Sequence, residues 1–396
     1  MKSTDTAAIA LHRKYQGKLG TTSLFPVTDK QMLSLVYTPG VADVSKMIAA
    51  NHEESFALTN RGRTIAVVSD GSAVLGLGNI GPEAAIPVME GKSLLMKLFA
   101  GVDSVPLVIK TQDVGEIINF VKLISPSFAG INLEDISAPR CFEVEEALQD
   151  IGIPVFHDDQ HGTAIVVMAA LLNAAKVVRK SFSSLNVVVV GAGAAGLAVS
   201  KMLLGIECQS TSCRIIDGAQ RVGDVIVVDS QGALWAGRDD MNVYKQAVAG
   251  VSNKQKKQGS LEEIIIGADV VIGVSGPGAI TTSMVTSMAQ DAIVFAMANP
   301  IPEIMPDLAT LAGALVVATG RSDYPNQINN VLAFPGIFKA VIDNRLDKIT
   351  QSMKQSAASA LAQLVAKPDQ QNILPTAFDP RVVPAIATAV KEAYGK

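Results

Sequence analysis

The chain has 396 residues, of which 48% are hydrophobic and 18% charged, with a formal net charge of −4. That length predicts two domains, and that apolar share a large core with a subunit interface. No basic stripe with interleaved aromatics occurs, which excludes nucleic acid as a partner, and the N-terminal stretch turns charged before a signal peptide's apolar core can form.

The three cysteines, Cys141, Cys208 and Cys213, form no CxxC pair, and their odd number points to a reducing cytoplasm. Two uncharged stretches, 181–200 and 270–290, are about as long as a membrane span. Gly, Ser or Pro breaks both, so each reads as buried strand followed by loop. A soluble chain with no membrane partner is expected.

Near the N-terminus, VYTPGVA puts Tyr37 before a Thr-Pro-Gly turn. Pro39 forces Thr38 extended, and Gly40 is free to take positive φ. The residues alone make Tyr37 an ordinary half-buried tyrosine on a stiff corner. From there to residue 157, strands are predicted over 64–68, 105–109, 128–133 and 153–156, and helices over 82–100, 114–123 and 140–149. Such alternation predicts an α/β fold with a mainly parallel sheet covered by helices. Lys92 sits in the almost uncharged first of these helices, which Gly101 ends. Buried there, it would have a depressed pKa and serve as a base; at the surface it would snorkel, as Lys97 is placed to do.

Two acid pairs stand at predicted strand ends. Glu134 and Asp135 close the run FAGINL, and Asp158 and Asp159 follow IPVF. Adjacent residues on a strand point to opposite faces, so a pair meets one ligand only where the strand has ended. Converging acids make an oxygen-rich cage suited to Mg²⁺ or Mn²⁺ rather than Zn²⁺. The same residues suit helix N-caps, and spacing does not decide between the two. His157 and His161 read as hydrogen-bonding groups of a turn rather than metal ligands.

A long apolar helix over 163–178 leads to LNVVVVGAGAAGLA at 185–198. This is the strand–turn–helix opening of a dinucleotide site. Gly191 permits the tight turn, Gly193 lets the backbone approach a pyrophosphate, and Gly196 lets the helix pack on the strand. Ala194 and Ala195 begin that helix, whose N-terminal amides face the phosphates. Further strands are predicted over 225–228, 270–274, 293–296 and 315–318, each ending in a loop rich in Gly, Asn, Ser or Asp. From residue 345 the tail reads as a helix, a Pro-containing connection over 367–375 and a short final helix.

Together VYTPGVA, SDGSAVLGLGNIGPEAAIPVMEGKSLLMKLFAGVDSVPL, INLEDI, VFHDDQHGTA, VVVVGAGAAG, VSGPGAIT, MANPIPEI and TGRSDYPNQINNVLAFPG resemble the malic enzyme family in its short bacterial form. They follow the family's order from about residue 10 to residue 340. The resemblance implies an NAD(P)-dependent, decarboxylating malate oxidoreductase that turns (S)-malate into pyruvate and CO₂ with Mg²⁺ or Mn²⁺. It implies Tyr37 as general acid, Lys92 as general base, and Glu134, Asp135 and Asp159 as metal ligands, with Asp158 beside them in the catalytic set. Asn299, Asn329 and Asn330 are implied in substrate contact, and Asn299 in nicotinamide contact as well.

An acid about 20 residues past the glycines binds the adenosine ribose. Asp217 has that spacing, but Asp229 matches the family's DSxG segment and is preferred, which makes 207–223 an extended connection. An acid there favours NAD, while Arg238 leaves NADP open. One departure stands out. Long-chain members carry an arginine after TDG that clamps a malate carboxylate, and here Ala73 takes its place. The chain is also too short for the phosphotransacetylase-like domain of some short forms.

The expected organisation is a substrate- and metal-binding α/β domain over 1–158 and a Rossmann-type, doubly wound parallel-sheet NAD(P) domain over 159–345. C-terminal helices over 346–396 are placed to pack back on the first domain. The resemblance implies a homodimer or a dimer of dimers in the cytoplasm. Two other functions keep these motifs: a malolactic-type enzyme that retains its nucleotide, and a catalytically silent nucleotide-binding regulator.

Overall fold

The run TIAVVS is too apolar to leave one face in water. It forms strand β1 (Thr64–Ser69), buried along its whole length. The computed structural model describes residues 6–209 and 212–395. In it β1 pairs in parallel with β2 (Asp103–Val108) and β3 (Gly130–Leu133), and β3 with β4 (Val155–His157), in the order β2-β1-β3-β4. Parallel neighbours need crossovers, which the helices Pro82–Ala100, Val114–Ile124 and Arg140–Ala147 supply. Leu133 and His157 are register partners. The acids that follow each strand therefore emerge at one edge of the sheet.

The next helix, Asp158–Val177, starts at Asp158 and not at residue 163. Asp158 and Asp159 fill its first turn, where carboxylates favour the positive end of the helix dipole. Gly162 is accepted inside it because the Asp158 carboxyl occupies the space a side chain would need. The expected turn around the two histidines is thereby corrected: His157 is the N-cap and His161 lies within the helix.

The valine run forms β5 (Asn186–Val190), which leads into the helix Ala194–Leu204. The region read as an extended connection opens instead with an antiparallel hairpin, β6 (Ile206–Gln209) and β7 (Ser212–Ile215). Its register sets Cys208 opposite Cys213, and the two form a disulfide that the odd cysteine count does not disclose. Cys141 is free and buried.

Beyond the hairpin come β8 (Asp224–Asp229), β9 (Gly232–Ala233), β10 (Val270–Gly273), β11 (Ala292–Ala296) and β12 (Ala314–Thr319). With β5 they make a second sheet in the order β12-β11-β10-β5-β8-β9, parallel except for the β8–β9 pair. From β5 the chain goes to one side for β8 and to the other for β10. The carboxyl end of β5 is therefore a topological switch point, where open α/β sheets bind ligands.

The helix Phe334–Asn344 packs on Pro82–Ala100, Gln351–Gln363 packs on the Asp158 helix, and Val382–Ala393 packs on both of these C-terminal helices. Buried Asn173 ties this bundle together, donating to the carbonyls of Ala362 (2.8 Å) and Ile373 (2.9 Å). By contrast, no residue over 6–63 is buried, and Leu11, Leu24, Leu35 and Met47 are all more than half exposed.

Candidate active site

The acids at the ends of β3 and β4 converge. Carboxyl oxygens of Glu134, Asp135 and Asp159 lie within 4.8 Å of one another. Asp135 takes a left-handed backbone conformation (φ 55°), which ends the strand's alternation directly after Glu134. Its N–H donates to Asp159 Oδ2 at 2.8 Å, and Asn132 Nδ2 donates to Glu134 Oε2 at 2.8 Å. Burial is the main force raising these carboxyl groups, and the other acids add to it. Asp135 is pushed up to about 9 and Asp158 to about 7, and Glu134 and Asp159 are raised as well. Asp135 Oδ2 is buried with no hydrogen-bond partner. A packed set of hard oxygens, one of them orphaned, fits a divalent cation of the Mg²⁺ or Mn²⁺ type.

Lys92 reaches the cluster from the Pro82–Ala100 helix, which also buries Ala85, Met89, Ser93 and Met96. Its Nζ lies 2.9 Å from Glu134 Oε1, donates to Asp158 Oδ2, and sits 4.5 Å from the centroid of the Phe334 ring. At 8% exposure it is no snorkelling lysine, whereas Lys97 pairs with Asp103 (2.7 Å) at the surface. The expected depression of its pKa is corrected. Burial alone would lower it, but Asp158, Glu134 and Asp159 outweigh burial and raise it.

Asp158 is fully buried, and its second oxygen lies over Gly162. A Cβ on Gly162 would collide with that oxygen and lie 3.1 Å from Asn330 Cβ, so Asn330 flanks the same carboxyl. Asn329 caps the short turn after it, accepting from the Val331 N–H at 3.0 Å. Asn299, just past β11, packs its amide on Gly320 and its carbonyl on Gly76, with room for no side chain at either glycine. His161 Nε2 lies 2.8 Å from Glu145 Oε1, as a hydrogen-bonding reading requires. The ring of His157 makes no hydrogen bond, although its Nε2 is 3.6 Å from Asp159 Oδ2.

Tyr37 is not brought to this cluster. It caps the helix Lys30–Val36, is 68% exposed rather than half-buried, and has no side-chain hydrogen bond or ring contact among the described residues.

The glycine turn is built as its spacing predicts. Gly191 has φ 119° and lies so close to Val274 that a Cβ would stand 2.6 Å from that carbonyl oxygen. A Cβ on Gly196 would collide with the Gly191 carbonyl, while the space beside Gly193 is open. No side chain caps the helix that Ala194 and Ala195 begin, so its first amides are left for a ligand. Asp229 ends β8, the direct neighbour of β5, while Asp217 lies beyond the hairpin. The Asp229 carboxylate accepts from Gln231 N–H (2.9 Å), Arg238 (2.9 Å) and Lys245 (2.6 Å).

Three polar residues at the site escaped the sequence reading. Asn132 was the most accessible, since it lies two residues before Glu134 in a strand and therefore on its face. Glu145 accepts from the His157 N–H (3.3 Å) and Gln160 (2.9 Å) as well as meeting His161. Arg140 reaches within 3.4 Å of Asp70, in the segment where Ala73 stands. The partners of these last two are distant in sequence, and no spacing announces them.

Comparison with known proteins agrees over almost the whole chain. Residues 16–149 match the family described as malic enzyme, N-terminal domain, and residues 160–394 that described as malic enzyme, NAD binding domain. A bifunctional malic/malolactic enzyme of Bacillus subtilis is 52% identical, over 98% of this chain and 92% of that one. An NADP-dependent malic enzyme of Halomonas elongata is 42% identical, again over 98% and 92%. The crystal structure of an NAD-dependent malic enzyme from Thermotoga maritima superposes with a TM-score of 0.91 at 45% identity, covering 98% of this chain and 99% of that one.

Proposed function

The chain belongs to the malic enzyme family, and we propose how its residues divide the work of converting (S)-malate to pyruvate and CO₂ with reduction of NAD(P). The observation that carries the proposal is the convergence of Glu134, Asp135 and Asp159 beside the Lys92 ammonium. Those three acids would hold Mg²⁺ or Mn²⁺. The turn of Gly191, Gly193 and Gly196, with Ala194 and Ala195, would hold the dinucleotide, and Asp229 its ribose. Held there, the dinucleotide would supply a hydride acceptor and the cation a Lewis acid.

Lys92 receives the C2 hydroxyl proton as that carbon is oxidised. An ammonium pinned by Asp158 and Glu134 is a poor base. Compensating the charge of the acids lets burial prevail, and the lysine then falls toward the range a base needs. Asp158 keeps its link to Lys92 and aims it. Asn299, Asn329 and Asn330 hold malate and the nicotinamide by their amides, with Asn330 nearest Asp158. After CO₂ leaves, Tyr37 protonates C3 of enolpyruvate.

The exposure of Tyr37 needs an explanation, and its neighbours supply one. Leu11, Leu24, Leu35 and Met47 bare apolar surface along the same N-terminal stretch, and such surface is normally covered by protein. We place this stretch on a second copy of the chain, in a homodimer or dimer of dimers, with Tyr37 entering that copy's cluster. We assign the enzyme to the cytoplasm, as the bacterial malic enzyme resemblance implies, although the Cys208–Cys213 disulfide runs against the reducing compartment that the cysteine count suggested. No helix of the described residues is long and apolar enough to cross a membrane.

Incubation with malate and either NAD or NADP, with and without Mn²⁺, tests the proposal. Metal-dependent reduced nicotinamide and pyruvate are expected, with NAD the better acceptor because Asp229 opposes a 2′-phosphate. Nucleotide binding without turnover under any divalent cation would instead mark a silent regulator. The malolactic reading draws support from the bifunctional Bacillus relative. Lactate formed without free reduced nicotinamide would favour it.

A further inference from the structure

A second cavity, of about 420 Å³, lies among the helices Arg140–Ala147, Asp158–Val177, Ala194–Leu204 and Gln351–Gln363 and the β6–β7 hairpin. Neither Lys92, nor the converging acids, nor the glycine turn lines it. Two lysines do. Lys354 is 8% exposed and has no hydrogen bond or ion pair among the described residues; its ammonium lies 6.0 Å from the centroid of the Phe156 ring. Lys201 is likewise without hydrogen bond or ion pair there, 5.7 Å from the Phe142 centroid. Burial holds Lys354 down to about 8, and it lowers Lys201 too.

The acids on the cavity wall are already engaged. Glu145 serves His161 and Gln160, Glu146 accepts from the Tyr244 hydroxyl (3.4 Å), and Glu207 pairs with Arg214 (2.7 Å). Asp150 has no partner among the described residues, but it is exposed to solvent, where a lone carboxylate costs little. Lys354 is a buried ammonium with no direct ion pair among the described residues, and Glu145 and Glu207 attract it from a distance without outweighing burial, while the half-buried Lys201 repels it. An anion seated between the two lysines offsets both the burial and the repulsion. The acids around it disfavour a polyanion, so the ligand carries a single acidic group on a small body.

We propose that this cavity binds a small organic oxyanion, a carboxylate or a phosphate monoester, between Lys201 and Lys354. The site has a direct route to the catalytic helix. Glu145, which forms part of its wall, also holds the His157 N–H, Gln160 and His161, the residues that flank Asp158 and Asp159.

Pyridoxal 5′-phosphate is a suitable probe, because it joins a phosphate to an aldehyde. The aldehyde carbon condenses with an unprotonated lysine amine, water leaves, and borohydride reduces the imine to a stable secondary amine. On the full chain with NAD present, limiting reagent is expected to label Lys354 or Lys201 ahead of exposed lysines. Protection by inorganic phosphate identifies the phosphate source, and protection by acetate the carboxylate source. Lys354→Met and Lys201→Met should each weaken binding of the protecting anion by about tenfold or more in calorimetry. Label spread over exposed lysines with no protection by either anion, or affinity unchanged in both variants, overturns the proposal. The labelling needs no variant, so it decides the matter even if one fails to fold.

Discussion

Mixing two inactive variants tests whether the site is completed by a second copy. Lys92→Ala removes the proposed base from the buried cluster, and Mn²⁺ in the buffer offsets the acids it leaves behind. Tyr37→Phe removes one hydroxyl from an exposed ring that has no partner among the described residues. Alone, each should lose about 10²- to 10⁴-fold in pyruvate formation, the range of a missing acid–base group. The mixture distinguishes the two geometries. If Tyr37 serves the neighbouring cluster, a heterodimer holds one site with both mutations and one with neither. Random reassortment makes half the molecules heterodimers, each with one working site of two, so about one quarter of the wild-type rate returns. If Tyr37 serves its own cluster, every site lacks one group and nothing returns. The assay is pyruvate release against mixing ratio, after the subunits have been exchanged in mild denaturant. Recovery should peak at equal proportions. A flat baseline at all ratios, with the heterodimer demonstrated by differential tagging, refutes Tyr37 as a group supplied by a neighbour.

Three further outcomes follow from the geometry. Asp135 is raised to about 9 from an ordinary 3.8, so between those values the folded, metal-free protein keeps a proton that the unfolded chain has lost. Stability without metal therefore falls as pH rises through that window, and Asp135→Asn should lift the metal-free Tm at pH 8 by roughly 2–4 °C while abolishing the gain from Mn²⁺. Melts with and without Mn²⁺ read both effects, and a lowered metal-free Tm contradicts the argument. Gly162→Ala puts a methyl group against the second oxygen of Asp158 and displaces the partner of Lys92. Turnover should drop about tenfold or more, and Tm should fall by a few degrees, because disturbing a buried ion pair costs more than the about 1 kcal/mol by which alanine favours a helix. An unchanged kcat would show that Asp158 does not aim the lysine. Asp229→Ala frees Lys245 for a 2′-phosphate and removes the repelling carboxylate, while Arg238 stays paired with Asp240, and should raise the NADP-to-NAD ratio of kcat/KM about tenfold or more. An unmoved ratio places the ribose elsewhere.

The parts of this molecule that sequence reveals are those with a local period or a local constraint. Unbroken apolar runs such as TIAVVS and NVVVV became fully or almost fully buried parallel strands, because nothing in them suits water. Gly191 and Gly196 were legible because only glycine fits where they meet Val274 and each other. The acid pairs were legible as strand-end residues, though nothing local distinguishes a cation cage from an N-cap. The start of the Asp158 helix was missed for a related reason. Gly162 reads as a breaker until one knows that Asp158 folds back over it. The hairpin at β6–β7 and its disulfide are equally a matter of register, which spacing between cysteines does not give.

The sign of the Lys92 shift shows most clearly where local reading ends. An uncharged helix around a lysine predicts desolvation, and desolvation does act on Lys92 in the expected direction. Three acids carried by β3 and by the Asp158 helix reverse the result. Glu134 and Asp158 form ion pairs with the ammonium away from water, with Asp159 farther off, and together they outweigh the cost of burial. The same acids thus keep the lysine protonated while their own charge is uncompensated. Burial sets how strongly Lys92 responds, and the acids decide which way. A single segment of sequence contains only the first of these.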